Sequence, residues 1–392
     1  MYQLSEDTFD QKEISSIKEL IRSKKKLSYG KKVNDLEKKI SKFHNRKYAI
    51  MVNSGSSANL LGISSLLFDD KFNLNIGDEV IVPALSWSTT YTPLIQLGLK
   101  LVFVDVNLDT LNIDTKSIEK YISKKTKAIF AVNILGLSCN YDQINQISKK
   151  YNLFIFEDNC ESFGAIYKNK LTGSFGIFST LSSYYSHHLC TIEGGFLLTD
   201  NFRLYCNALA LRSHGWLREQ PSNSHLNKYN YNNFEKLFKF VLPGFNLRPT
   251  ELNAALGLVQ LNKIKNFIKN RRDNAHKTYK IFSNNPNLKM QKYDQNSSFF
   301  AFSLILQNKL INKRETVINF MKKNKIENRP IVSGNILNNP MMRYAKIRKK
   351  GKYPNVCFID QNGIMIGNRS RALNKKEIKI LKKLNDFLLE FK

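Results

Sequence analysis

The stretch KKYNLFIFEDNCESFGA, residues 149–165, changes character twice: a polar run closes on Asn152, the largely apolar LFIFED (153–158) follows, and NCESFGA then forms a Ser- and Gly-bearing turn. A short apolar run bounded in this way fits a buried strand that ends where the chain turns back over a sheet. The layout recurs upstream in YAIMV (48–52), EVIVP (79–83), KLVFVDV (100–106) and KAIFAVN (127–133), each rich in Val, Ile or Phe. Polar amphipathic stretches separate these runs, which predicts βα units around a mostly parallel sheet, an α/β fold. Ligands of such sheets gather at the carboxyl ends of the strands. The polar residues just past those ends are therefore where chemistry is to be sought.

From about Thr250 the pattern lengthens. ELNAALGLVQLNKIKNFIKNRRDNAHKTYKIF (251–282) keeps apolar residues at helical spacing for several turns, and FFAFSLIL, GIMIG and KKEIKILKKLNDFLLEF then predict two strands and a last helix. With 392 residues the chain exceeds the size at which one core usually stops growing. We expect a large α/β domain over 1–254 and a smaller α+β domain over 255–392, with the N-terminal segment packing beside the latter.

The net charge of +29, from 61 Lys and Arg against 32 Asp and Glu, favours anionic partners, whether nucleic acid, an acidic membrane or a phosphorylated small molecule. The lysines are scattered along the chain (SKKKLSYGKK, ISKKTKAIF, FMKKNKIEN), so most of them are read as a solvated face rather than a binding patch. A helix-turn-helix or similar nucleic-acid-reading module is not recognised. Cys139, Cys160, Cys190, Cys206 and Cys357 lie far apart, without the C-x-C or C-x-x-C spacing of zinc and iron–sulfur sites. Reduced thiols in a cytoplasm are the simpler expectation. The start, MYQLSEDTFDQKE, is too acidic for a signal peptide, and no apolar run reaches the ~20 residues that span a bilayer.

Three segments carry the chemistry. VNSGSSANLLG (52–62) leaves a strand and opens a helix, so Gly55, Ser56 and Ser57 would offer N–H groups and hydroxyls to a phosphate at a positive helix end. A simple helix cap fits the same letters. Asp158, at the strand end within the opening stretch, would be a buried carboxylate in need of a cation such as a protonated pyridine, unless it serves as an N-cap. In FSTLSSYYSHHLCTIEGGFLLTD (178–200), Ser182 lies five residues before His187, and Gly194-Gly195 opens a strand. The side chains of adjacent His187 and His188 diverge, and no Cys or carboxylate is spaced to join them on a metal.

In their order along the chain these segments, with YGKKVNDLEKKIS, PALSWST, FVDV, ILGLSCNYDQI, GFNLRPTELNAALGLVQL and RPIVSGN, resemble the DegT/DnrJ/StrS family of sugar aminotransferases. The resemblance runs nearly the whole length. It implies the aspartate-aminotransferase-like fold (fold type I) of enzymes using pyridoxal 5′-phosphate or its amine form, pyridoxamine 5′-phosphate. It assigns Gly55, Ser56 and Ser182 to the cofactor phosphate, Trp87 to stacking on the ring, Asp158 to the ring nitrogen and Glu161 to the neighbourhood of the ring hydroxyl. Asn246 resembles an asparagine that reaches the phosphate from the other subunit, which implies a homodimer with shared sites.

One position departs from the family. Its aminotransferases read S-F-x-x-x-K and hold the cofactor covalently through that lysine, whereas this chain reads Ser182-Ser183-Tyr184-Tyr185-Ser186-His187. The nearest upstream lysines, Lys168 and Lys170, sit in an expected turn, and none follows before Lys228. An imidazole cannot form the stable bond that an amine forms, so the cofactor would be held non-covalently. A His-His pair followed by EGG is similar to the branch of 3-dehydratases acting on GDP-4-keto-6-deoxymannose, and the absent C-x-C sets the chain apart from cluster-bearing relatives. The resemblance thus implies loss of the C3 hydroxyl from a nucleotide-linked 4-keto-6-deoxyhexose, with His187 as the base and glutamate regenerating the amine. An imidazole of ordinary, near-neutral pKa suits that role. His214 and Arg248 are candidates for the donor's carboxylates or for the nucleotide, and Arg329 for the nucleotide sugar. The rivals are an aminotransferase making an amino sugar and an inactive, nucleic-acid-binding regulator.

Overall fold

In the computed structural model, residues 1–24, 26–228, 231–348 and 351–391 are described; Lys25 of the SKKKLSYGKK run lies outside them. The strands are β1 (Tyr48–Val52), β2 (Glu79–Pro83), β3 (Lys100–Val104), β4 (Thr126–Val132), β5 (Phe154–Asp158), the hairpin β6 (Ile166–Tyr167) and β7 (Lys170–Leu171), β8 (Phe178–Ser182), β9 (Gly195–Thr199), β10 (Leu288–Lys289), β11 (Ala301–Leu306), β12 (Lys346–Ile347) and β13 (Gly363–Gly367). The helices are α1 (Gln11–Arg22), α2 (Lys31–Phe43), α3 (Gly55–Leu67), α4 (Ser88–Gln96), α5 (Tyr141–Tyr151), α6 (Phe202–Arg212), α7 (Asn233–Lys236), α8 (Glu251–Phe282), α9 (Arg314–Lys323), α10 (Pro354–Asn362) and α11 (Lys375–Leu389).

The large sheet runs β1-β9-β8-β5-β4-β2-β3-β12. Its pairs are parallel except where β9 lies antiparallel to β1 and to β8. Side chains alternate along a strand, and here the alternation divides the core in two. Ile50, Val80, Val82, Leu101, Phe103, Ala128 and Phe130 enter one layer, while Ile81, Val102, Val104, Ile129 and Ala131 enter the layer under α5. Burial on both faces is why these strands read as unbroken apolar runs.

The small sheet, β10-β11-β13, is antiparallel. Phe302, Leu304 and Leu306 of β11 pack with α8, α9 and α11 residues and with Tyr2 from the N-terminus. Phe300, Ala301 and Ile305 face the large core instead. A further tie is β12, which joins the large sheet beside β3 although it comes from the C-terminal part. Asp105, just past β3, also accepts the first N–H groups of α10, from Asn355 (2.9 Å) and Val356 (3.0 Å).

The direction of the strands places the site. The carboxyl ends of β1, β2, β4, β5 and β8 share one edge, and because β9 is reversed its amino end arrives there too.

Candidate active site

At that edge lies a cavity of about 430 Å³ whose lining includes Gly55, Ser56, Trp87, Asp158, Glu161, Ser182, His187 and Arg329. Its volume falls in the range of small-molecule sites. Residues far apart in sequence therefore meet because all of these but Arg329 end or follow a strand of the large sheet.

After β1, Ser54 caps α3, its hydroxyl accepting from the Ser57 N–H at 3.0 Å. The Gly55 and Ser56 N–H groups, in the first turn, have no partner within the helix. Gly55 is required by space: a Cβ there would lie 2.8 Å from Cβ of Ser182 and 3.0 Å from Sγ of Cys160. The N–H of Ser57 is taken by the cap, and the residue is not among those lining the cavity.

Asp158 is 6% exposed. Its Oδ2 accepts from Nδ2 of Asn59 (3.0 Å) and Oγ1 of Thr90 (3.1 Å), and its Oδ1 from the Cys160 N–H (3.1 Å). All three donors are neutral, and among the described residues no cation pairs with it. A buried carboxylate on a cavity wall, lacking a counter-charge, suits a protonated ring nitrogen. Trp87, at the N-terminus of α4, remains 51% exposed. It offers a flat apolar wall.

Glu161 accepts from the Leu135 N–H at 2.9 Å. Burial raises its carboxyl to about 7, against the lowering effects of that bond and of Arg329. Near neutrality it is therefore divided between charged and neutral forms. Arg329 reaches the site from a bridge to Met365, and its buried Nε has no partner among the described residues.

His187 binds the carbonyl of Cys160 through Nδ1 at 2.8 Å. A carbonyl only accepts, so the proton sits on Nδ1 and Nε2 keeps its lone pair. No described residue bonds that second nitrogen. Burial pushes the imidazole down to about 4, with Arg329 and Arg271 acting in the same direction against the Cys160 bond. This corrects the expectation of a near-neutral group, because removing an imidazolium from water outweighs the bond that favours it.

His214, Asn246 and Arg248 do not line the cavity. Asn246 is exposed, accepts from Nε of Arg248 at 3.2 Å and bridges to Ser213. The ring of His214 meets Trp216 edge-on at 4.9 Å, and the Arg248 guanidinium lies 5.6 Å from that indole. Sequence reading missed Phe300, which lines the cavity from the residue ahead of β11. The run FFAFSLIL gave a signal for the strand but none for where its leading ring would point.

A helix end with free N–H groups beside two serines, an uncompensated carboxylate and an aromatic wall together fit a phosphorylated pyridine. Set at the strand ends of this sheet, they define an enzyme of the aspartate-aminotransferase-like, B6-dependent class. The chain belongs to the DegT/DnrJ/EryC1/StrS aminotransferase family, which it matches over residues 7–384. It is 42% identical to a GDP-4-keto-6-deoxy-D-mannose 3-dehydratase of Yersinia pseudotuberculosis, over 97% of this chain and 98% of the relative. An E. coli GDP-4-keto-6-deoxy-D-mannose-3-dehydratase with bound hydrated PLP is similar in structure, with a TM-score of 0.94, 41% identity and 98% and 99% of the two chains covered. A GDP-4-keto-6-deoxymannose-3-dehydratase with a trapped PLP-glutamate geminal diamine gives a TM-score of 0.94 at 40% identity, covering 100% of each chain.

Proposed function

We propose that the chain dehydrates GDP-4-keto-6-deoxymannose at C3, giving a 3,6-dideoxy-4-keto sugar and ammonia, with pyridoxamine 5′-phosphate consumed and glutamate restoring it. One observation carries this reading: at the family's lysine position stands His187, tied by Nδ1 and presenting Nε2 to the cavity. The relatives' names supply the substrate, and the glutamate adduct of one relative supports the donor.

When bound, the cofactor offers an electron-withdrawing ring in conjugation with the substrate's reacting carbons. The α3 N-terminus, Ser56 and Ser182 would hold its phosphate, and Asp158 would keep its ring nitrogen protonated. The neutral His187 takes a proton at Nε2. Its depressed pKa leaves it unprotonated across the physiological range and quick to give the proton up again. An imidazole forms no lasting bond to the cofactor, and so does not compete with the substrate for it. Glu161, as a neutral carboxyl, can donate a hydrogen bond towards the ring hydroxyl; as a carboxylate it can accept one.

We further assign the cavity a second copy of the chain, which would supply Asn246 together with His214 and Arg248. The cytoplasm is the compartment we assign, in keeping with five free thiols and with the absence, among the described residues, of a helix long and apolar enough to cross a membrane. The test combines purified protein, pyridoxal 5′-phosphate, glutamate and GDP-4-keto-6-deoxymannose, and follows ammonia and the sugar by mass spectrometry. Ammonia with a 3-deoxy product is expected. Accumulation of an amino sugar would show an aminotransferase instead.

A further inference from the structure

Phe300 lines the cavity, and the reaction as assigned leaves it without a task. Its ring lies 4.9 Å from that of His187, tilted by 42°, and 5.8 Å from that of His188. Its backbone is fixed on both sides. The Phe300 N–H donates to the carbonyl of Leu135 (3.0 Å), and its own carbonyl accepts from Arg271 (3.0 Å). The preceding residues are held as well: Ser298 N–H donates to the Gly136 carbonyl (3.0 Å), the Phe299 carbonyl accepts from Asn368 (2.9 Å), and the Ser298 carbonyl accepts from His188 (3.0 Å).

The two segments that pair here, 135–136 and 298–300, each contain an unusual backbone. Leu135 has φ of 53° and Phe299 of 45°, left-handed values that bulky residues adopt only when their surroundings impose them. Gly136, at φ 96°, admits no side chain, since a Cβ would lie 2.4 Å from the Phe299 nitrogen. The contacts close on themselves. Leu135 N–H holds Glu161, Glu161 follows Cys160, the Cys160 carbonyl holds His187, and His187 rests on Phe300, which returns to Leu135.

We infer that Phe300 is a positioning residue acting through His187: clamped between the exit of β4 and the start of β11, it holds the imidazole on the Cys160 carbonyl with Nε2 turned to the cavity. The inference rests on His187 as the base, and it deepens that assignment by making the C-terminal strand part of the base's support. A ring there also keeps water from the imidazole. The ionisable groups around His187 are Asp158 at the end of β5, Cys160 and Glu161 just past it, Tyr184 and His188 in its own loop, and Glu193 ahead of β9. Arg271 and Arg329 act on it from the C-terminal part. Replacing Phe300 changes none of these charges.

The test is Phe300→Ala in the full chain, read by NMR titration of the imidazoles, with His187→Asn identifying the resonance. The His187 midpoint should rise by about one pH unit or more towards the ordinary value as water reaches the ring. In the reaction, kcat should fall on the order of tenfold with KM little changed, and the acid limb of the pH profile should move up by the same interval. Phe300→Leu restores apolar cover, so it should recover most of the midpoint; it also serves as the test should the alanine variant fail to fold, and must then titrate above the parent. Midpoints equal to the parent's in every folded variant would overturn the role of Phe300. The titration needs no turnover, so a failure of the dehydratase reading would show separately in the product assay.

Discussion

At the scale of single residues, two groups decide what this site does. His187 stands where an amine would trap the cofactor, and restoring the amine should restore the trap. His187→Lys is expected to retain pyridoxal phosphate through desalting, to gain its visible absorbance, and to be permanently labelled after borohydride reduction; ammonia release should fall at least a hundredfold. A variant that loses its cofactor on desalting, or that still releases ammonia at the parent rate, would remove His187 from the assigned role. Glu161 allows a test of sign. Its carboxyl is raised to about 7 by burial, while the unfolded chain ionises near the usual 4.3. Between those values the unfolded chain has released a proton that the folded chain keeps, so the stability from this group is complete below the lower value and is lost as pH climbs through the upper one. Glu161→Gln can still accept from Leu135 and carries no charge. In the cofactor-free protein it should match the parent near pH 4 and exceed it by roughly 2 kcal/mol at pH 8, after discounting for partial solvent access, as measured by urea unfolding.

Elements are coupled here by side chains that serve two helices at once. Glu251 opens α8, yet its carboxylate accepts from the Lys32 (2.9 Å) and Val33 (2.8 Å) N–H groups that begin α2. Gly30, the residue before α2, has no side chain to cap it, and a Cβ there would meet the Glu251 carboxyl at 3.0 Å. Glu251 thus replaces a local cap. Glu251→Ala should cost about 2 kcal/mol in urea unfolding at pH 7, and a loss below about 0.5 kcal/mol would show that water substitutes for it. This capping was not legible in the sequence, where α2 opens with lysines and no capping residue. The 251–282 helix itself was legible to its bounds, as were β1 and β2, because their periodicity comes from burial of their own side chains. The runs 100–106 and 127–133 overshoot β3 and β4 by the residues that leave the ladder: Asp105 turns to α10, and Asn133 to Glu157 and Asn159. Elements with tertiary causes were illegible: β12 is two residues stabilised by β3, and α10 begins where Asp105 receives it. Gly55, Ser56, Trp87, Asp158, Glu161, Ser182 and His187 could be picked out as cavity residues because they end or follow strands. Phe300 could not, because its place depends on a backbone pairing with Leu135, distant in sequence.

For the whole molecule, the proposal to be tested is that a second copy of the chain completes the site. Asn246 projects from a segment held firmly in its own chain, with Leu247 bonded to Asn53 (3.0 Å) and Arg212 (2.9 Å), yet it lies outside the cavity. Earlier in the chain Phe234 and Phe238 are 82% and 70% exposed, and Trp87, which lines the cavity, is 51% exposed. Apolar surface of this kind calls for cover. A two-fold dimer would supply it symmetrically, each copy lending Asn246 to the other's phosphate. The arrangement is tested by mixing two defects. His187→Asn and Asn246→Ala should each be nearly inactive alone. In a dimer of one of each, one site carries both defects, while the other combines an intact His187 with an intact Asn246 from the neighbour. Random co-assembly should therefore restore about a quarter of the parent's activity per chain. If Asn246 serves the cavity of its own chain, every site in the mixture keeps one defect and no activity returns, whatever the oligomeric state measured by light scattering.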